Sequence, residues 1–149
     1  MNPTLEFDMR DFDKAIKNIT FSQDGYLEIE QKGATVLVDG MKQRAAKDTH
    51  DMENSVKPHV IENKDLIVDE VGPEVSYAVY QEYGTGIYAE SGKGRQTPWV
   101  YRRKDGTFVT TQGNRPHPFV RPTAVQDKNE VIGAMEKEFK RKVVTSWSK

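Results

Sequence analysis

Two segments of this chain leave the backbone little freedom. They are Tyr77-Ala78-Val79-Tyr80-Gln81-Glu82-Tyr83-Gly84-Thr85-Gly86 and Pro116-His117-Pro118-Phe119-Val120-Arg121-Pro122-Thr123. Each joins stiff apolar or aromatic residues to one strong charge, Glu82 or Arg121, and to a chain-reversing Gly or Pro. Glycine opens positive φ and proline restricts it, so the chain must bend at set points. Segments of this kind fix how a small domain docks; neither has the composition of a catalytic site.

The rest of the chain reads as one α+β domain over residues 1–149. A helix is predicted over 8–18, from Phe12, Ala15, Ile16 and Ile19. Thr20-Phe21-Ser22-Gln23 has the form of a capping box. A longer helix follows, carrying Tyr26, Ile29, Gly33, Val36, Gly40 and Arg44 at helical spacing. Gly33 and Gly40 are seven apart and share a face. Each costs about 1 kcal/mol relative to alanine, so a neighbouring element is expected to come close there.

Lys57–Glu62 and Asp65–Val71 read as two strands joined at Asn63-Lys64 and ended by Gly72-Pro73. Tyr77 to Tyr83 alternates like a strand, yet also fits a short helix closed by a left-handed cap at Gly84; the helix is preferred. Residues 84–97 hold four of the eleven glycines and form a long loop. Asp105-Gly106 between β-formers predicts a hairpin with a two-residue turn. That turn sets Arg103 opposite Phe108 and Tyr101 opposite Thr110, with Trp99, Tyr101 and Phe108 on one face. A last helix is predicted from a capping box at Thr123–Gln126, carrying Val125, Ile132, Met135, Phe139 and Val143, with Trp147 packing under its end. The expected architecture is thus a long N-terminal helix and a C-terminal helix packed on a small, mostly antiparallel sheet. A β-hairpin protrudes, with mobile loops at about 86–97 and 100–113.

Chemistry is hard to place on this chain. There is no cysteine, which excludes disulfides and thiolate metal sites. His50, His59 and His117 have no metal-ligand spacing. Ser91-Gly92-Lys93-Gly94-Arg95 lacks the Lys-Ser/Thr and following helix of a phosphate loop. Gly84-Thr85-Gly86 lacks the third glycine of a dinucleotide fingerprint. No nucleophile elbow occurs, and the Asp11/Asp13 and Glu136/Glu138 pairs point apart on a helix. No catalytic residue, cofactor site or metal site is assigned. No apolar run reaches the roughly 18 residues that would span a membrane.

Charge is unevenly spread. Residues 1–92 carry 9 Lys+Arg and 18 Asp+Glu, whereas residues 93–121 carry 7 basic residues against Asp105 alone. An acidic body with one basic segment points to a defined electrostatic contact, with nucleic acid or with the acidic body of an identical neighbour. Lys93, Arg95, Arg102, Arg103 and Lys104 are the candidate contacts to DNA or protein. On the hairpin, basic residues interleave with Trp99, Tyr101 and Phe108, as in a nucleic-acid-binding module. The same pattern suits an aromatic face packed on the body with its charged tips in water.

The two opening segments, in this order, resemble a family of long-tailed bacteriophage proteins, the gene-product-ten-like tail-component or neck proteins. Tyr77-Ala78, then Glu82-Tyr83-Gly84-Thr85, then Pro118-Phe119-Val120-Arg121-Pro122-Thr123 are similar to the family's Tyr-Ala, Glu-aromatic-Gly-Thr and Pro-Phe-Leu-Arg-Pro-Ala. Upstream, Thr49-His50-Asp51-Met52-Glu53-Asn54-Ser55-Val56 resembles the family's Thr-Gly-x-Leu-x-x-Ser-Ile, with His50 in place of Gly and Met52 in place of Leu.

The resemblance implies a non-enzymatic subunit of the head–tail joint, in the virion and assembled in the host cytoplasm. It would form a ring, hexameric or dodecameric, between the connector or head-closure protein and the tail tube or tail-terminator protein, with DNA passing through the lumen. Tyr77, Tyr80, Glu82, Tyr83, Gly84, Thr85, Pro118, Phe119, Arg121 and Pro122 would be its structural or interface motif. Glu82 and Arg121 are expected to pair, within the subunit or across the ring, because a planar guanidinium suits a carboxylate. The alternative function is a small nucleic-acid-binding module using hairpin 99–110.

Overall fold

The structure, a computed structural model, describes residues 23–47, 50–63 and 66–147. The helix expected over 8–18, the side chains of the Thr20–Gln23 capping box and the side chain of Trp147 lie outside that description.

The spine is helix α1, Gln23–Arg44. Helix α2, Asp51–Ser55, leads directly into strand β1, Val56–Asn63. Strand β2, Leu66–Pro73, pairs with β1 in antiparallel register, from Val56 opposite Pro73 to Asn63 opposite Leu66. That register keeps Asn63 within β1 rather than in the expected Asn63-Lys64 connection. As expected, Gly72-Pro73 closes β2, which stops at Pro73. A two-stranded ribbon is marginal by itself and needs a helix to pack on; here α1 and α2 supply it. Pro58 is tolerated in β1 because each strand of a two-stranded sheet has an open edge.

Helix α3, Ala78–Tyr83, resolves the strand-or-helix choice in favour of the helix. Gly84 ends it with φ 73 and ψ 173, so φ is positive as expected but the chain leaves extended rather than in the left-handed helical well. A Cβ there would come within 2.8 Å of Pro116 Cδ and of the Tyr88 carbonyl. A 3-10 turn at Gly86–Tyr88 follows. Strands β3, Trp99–Arg102, and β4, Phe108–Thr111, form a second and separate two-stranded sheet.

The C-terminal helix is two helices, α4 at Val120–Gln126 and α5 at Lys128–Trp147, hinged at Asp127. The expected capping box at Thr123 does not form. Thr123 lies one turn inside α4, and its hydroxyl donates to the Phe119 carbonyl at 2.7 Å.

Helix α5 runs antiparallel to α1: Gly33 faces Met135 and Val131, while Glu28 reaches Lys142. Gly33 and Gly40 therefore have the role their spacing implied. A Cβ on Gly33 would lie 2.9 Å from Met135 Sδ, and one on Gly40 would overlap an Asp127 carboxylate oxygen. The core sits where α1, α2, β1, α3 and α4 meet. Met41, Ala45, Met52, Val56, Ala78 and Phe119 are buried there, with Val38, Val71, Val75 and Val120 packed against them.

Candidate functional site

The first four amides of any helix lack intrahelical acceptors. In α4 a single side chain from another helix resolves this. Glu82, on α3 and only 4% exposed, accepts the amides of Phe119 at 2.8 Å, Val120 at 3.0 Å and Arg121 at 3.1 Å. The next residue is Pro122, which has no amide to satisfy. All four positions are thus accounted for by one carboxylate and one proline. The charge also sits at the positive end of the helix dipole.

Arg121 closes the arrangement from outside. Its Nε–H donates to Glu82 Oε1 at 2.8 Å, and Nη2–H donates to the Glu82 carbonyl at 3.1 Å. Both terminal nitrogens donate to Glu90 at 2.9 Å, and the guanidinium lies 4.6 Å from the Tyr83 ring centroid. The expected Glu82–Arg121 pair therefore exists within the subunit. Burial pushes the Glu82 carboxyl up, but the amides and Arg121 outweigh it and hold the group below its ordinary range. Glu90 and Glu82 raise Arg121.

A second arginine locks the other end of α4. Arg44 forms a two-pronged contact with Asp127, 2.8 Å on each side, and reaches Thr123 Oγ1 at 3.2 Å and Gln126 Oε1 at 3.1 Å. This cluster occupies the space that Gly40 leaves open. His117 binds α1 to α3: its amide donates to Gln81 O at 2.7 Å, and its ring Nε2 lies 3.2 Å from Arg44 O. Sequence reasoning missed Arg44, Asp127, Glu90 and His117. Arg44 left a trace as the long residue one turn after Gly40, and His117 as the residue held between Pro116 and Pro118. Glu90 lies in a glycine-rich stretch with no periodic signal.

The loop and the hairpin base are stitched together. Thr85 N donates to Asn114 O at 2.9 Å, Ile87 N to Gln112 O at 3.0 Å, and Asn114 N to Thr85 Oγ1 at 2.9 Å. Arg115 lies over Tyr88 and Arg95 over Trp99. Beyond this base, strands β3 and β4 pair only with each other, with Arg102 opposite Phe108 and Tyr101 opposite Val109.

This register corrects the sequence expectation by one residue. The turn has three residues, 104–106: Arg103 N donates to Thr107 O, and Gly106 N donates back to Arg103 O. The physical reason is Asp105. Its Oδ1 accepts both the Thr107 amide and the Thr107 hydroxyl, and Gly106 takes φ 90 to allow the closure. Phe108 therefore leaves the Trp99/Tyr101 face and joins Val100 and Arg102. Phe108 is 74% exposed and Val100 60%, whereas Trp99 and Val109 are half-buried on the other face.

Of the remaining predicted residues, Tyr77 is exposed at the N-cap of α3 and Tyr80 on the helix itself, Pro118 is exposed just before the cap, and Phe119 is fully buried. Lys93, Arg95, Arg102, Arg103 and Lys104 are exposed along the loop and the hairpin. Among the described residues, no cluster of His, Asp or Glu could hold a metal ion. No described helix is long and apolar enough to cross a membrane.

Residues 11–84, close to half of the chain, match the family model described as "Bacteriophage HK97-gp10, putative tail-component". The chain belongs to this family. The HK97-gp10-like match runs through α1, the β1–β2 ribbon and α3, and ends at Gly84. It thus contains Glu82, while Arg121 and the hairpin follow it in sequence. No curated protein and no solved structure gives a match. Membership makes this a phage tail component, a structural role among other phage structural proteins.

Proposed function

We propose that the protein is a non-enzymatic subunit of the phage head–tail joint, working as a homo-oligomeric ring between the connector side and the tail tube. Membership in the HK97-gp10-like family carries this reading. The geometry supports it, because the Glu82 cap, the Arg44–Asp127 clamp and the His117 bridge form a rigid body around the two motifs. From that body a hairpin projects with its apolar and basic residues in solvent. On this reading the chain acts as one domain, segments 86–97 and 100–113 are its docking arms, and Tyr77 and Tyr80 lie on a subunit-facing surface.

Immunogold labelling of virions tests the location. Label at the neck, together with unjoined heads and tails when the gene is deleted, is the expected result; label elsewhere in the virion refutes the joint.

A second reading, nucleic-acid contact, draws on Arg102, Arg103 and Lys104 at the exposed hairpin tip. A salt-dependent DNA shift that disappears when all three are changed to Ala would support it.

A further inference from the structure

We infer that the outward face of the β3–β4 hairpin seats in a groove of a second copy of this chain, beside the Glu82–Arg121 cap. The groove, of about 310 Å³, is lined by Pro73, Val75, Val79, Tyr83 and Val120, together with Glu82 and Arg121. Val79 and Tyr83 expose roughly half of their surface there. Phe108 is the most exposed large aromatic among the described residues, and Val100 stands on the same face of its ribbon. Large apolar groups held out on a projecting hairpin signify a partner surface.

Charge selects the occupant. The arm carries Arg102, Arg103 and Lys104, against Asp105 alone. Strand β2, which ends at the groove, carries Glu70, and Glu74 follows it. Both are exposed, and Glu74 is already paired with Lys57 at 2.7 Å. Residues 1–92, which supply most of the groove lining, carry 9 Lys+Arg against 18 Asp+Glu, so the apolar, basic arm meets an apolar groove on an acidic body, and one chain carries both. Strands rising about 3.3 Å per residue give the arm a reach of roughly 15 Å beyond its base. Because the two surfaces differ, the contact is head-to-tail and propagates into a ring or a filament. The docking rests on the ring assembly proposed above and names the surfaces that would build it.

Two single variants and their mixture test it. Phe108→Ser blunts the arm and Val79→Glu blocks the groove; both positions are exposed, so circular dichroism should show wild-type folding. Each variant alone should lose self-association by about tenfold or more in analytical ultracentrifugation. Mixed, they retain one good arm and one good groove between them and should form a heterodimer that does not extend. Homo-oligomers persisting in either variant, or a mixture that stays monomeric, overturns the docking.

A photo-crosslinker at position 108 of the otherwise wild-type chain, at high concentration, should join a second copy within residues 73–83. Crosslinks elsewhere, to DNA only, or none at all also overturn it. Immunodetection of the wild-type chain in virions is read separately, so a virion-borne subunit whose position 108 crosslinks elsewhere refutes the docking and leaves the tail role standing.

Discussion

Glu82 and Arg121, 39 residues apart in sequence, meet through a 2.8 Å contact in which the guanidinium Nε–H donates to a carboxylate that is already capping a helix. The carboxylate has two kinds of partner. Three are backbone amides and one is an arginine whose side chain is 45% exposed. These two kinds should not be equally important.

Removing the carboxylate leaves buried amides at the start of α4 without acceptors. Glu82→Ala is expected to cost about 3 kcal/mol or more. Arg121→Ala leaves the amides satisfied and should cost clearly less. Urea unfolding at neutral pH measures both, and equal losses would mean that the ion pair, not the cap, holds the motifs. A double-mutant cycle should still show coupling between the two residues.

Acid should weaken the fold in a defined window. Glu82 is held below its ordinary value of 4.5, against its own burial, by the amides and Arg121. Glu53 is lowered by His50 and Lys47, Glu74 by Lys57, Glu90 by Arg121, and Glu138 by Arg141. A lowered carboxyl stabilises fully above its unfolded pKa and loses that contribution as pH falls through the folded one. Stability should therefore be level above about pH 5 and fall below about pH 4.5. In Glu82→Gln the neutral-pH stability should be lower and the acid decline shallower. An unchanged acid slope would remove Glu82 from the account.

The two glycines of α1 should respond differently to alanine. At Gly33 the added carbon meets the flexible Met135, which can shift, and Val131 Cγ1 at 3.2 Å, while the helix gains up to about 1 kcal/mol of propensity. At Gly40 it overlaps an Asp127 oxygen that Arg44 holds in place, with Thr123 Cγ2 at 2.9 Å. Gly40→Ala should lower the thermal midpoint clearly and Gly33→Ala little. The reverse order would place the tighter helix contact at the wrong end.

His50 is the one non-glycine residue with positive φ among those described, at φ 58 and ψ 0. It occupies the position where the resembling stretch carries Gly. The left-handed conformation costs a side-chain-bearing residue about 1 kcal/mol, and the His50–Glu53 contact is exposed and offsets little of it. His50→Gly should raise the thermal midpoint by a few degrees; a fall would show that the Glu53 contact outweighs the strain.

Much of the fold was legible in the sequence. Helix α1, the β1–β2 ribbon, α3 and the Asp105-Gly106 hairpin each carry their own period or turn chemistry, and Gly33 and Gly40 announced a close neighbour. The hairpin register was not read correctly, although its cause is local. Asp-Gly implied a two-residue turn, but the Asp105 side chain competes for the Thr107 amide and draws a third residue in. At the candidate site, the Glu82–Arg121 pairing was anticipated from charge alone, whereas the capping of α4 was not.

The sequence by itself determined which segments are helical or extended, where the chain reverses, and which two motifs carry the strong charges. Those properties follow from local spacing and from the φ preferences of Gly and Pro. Only the tertiary structure decided that Thr123 is an interior residue rather than a cap, that the C-terminal helix breaks at Asp127, and that Glu82 serves a helix 37 residues downstream. A helix start needs an acceptor for its amides, and no period in a sequence shows which distant carboxylate folding will bring to it.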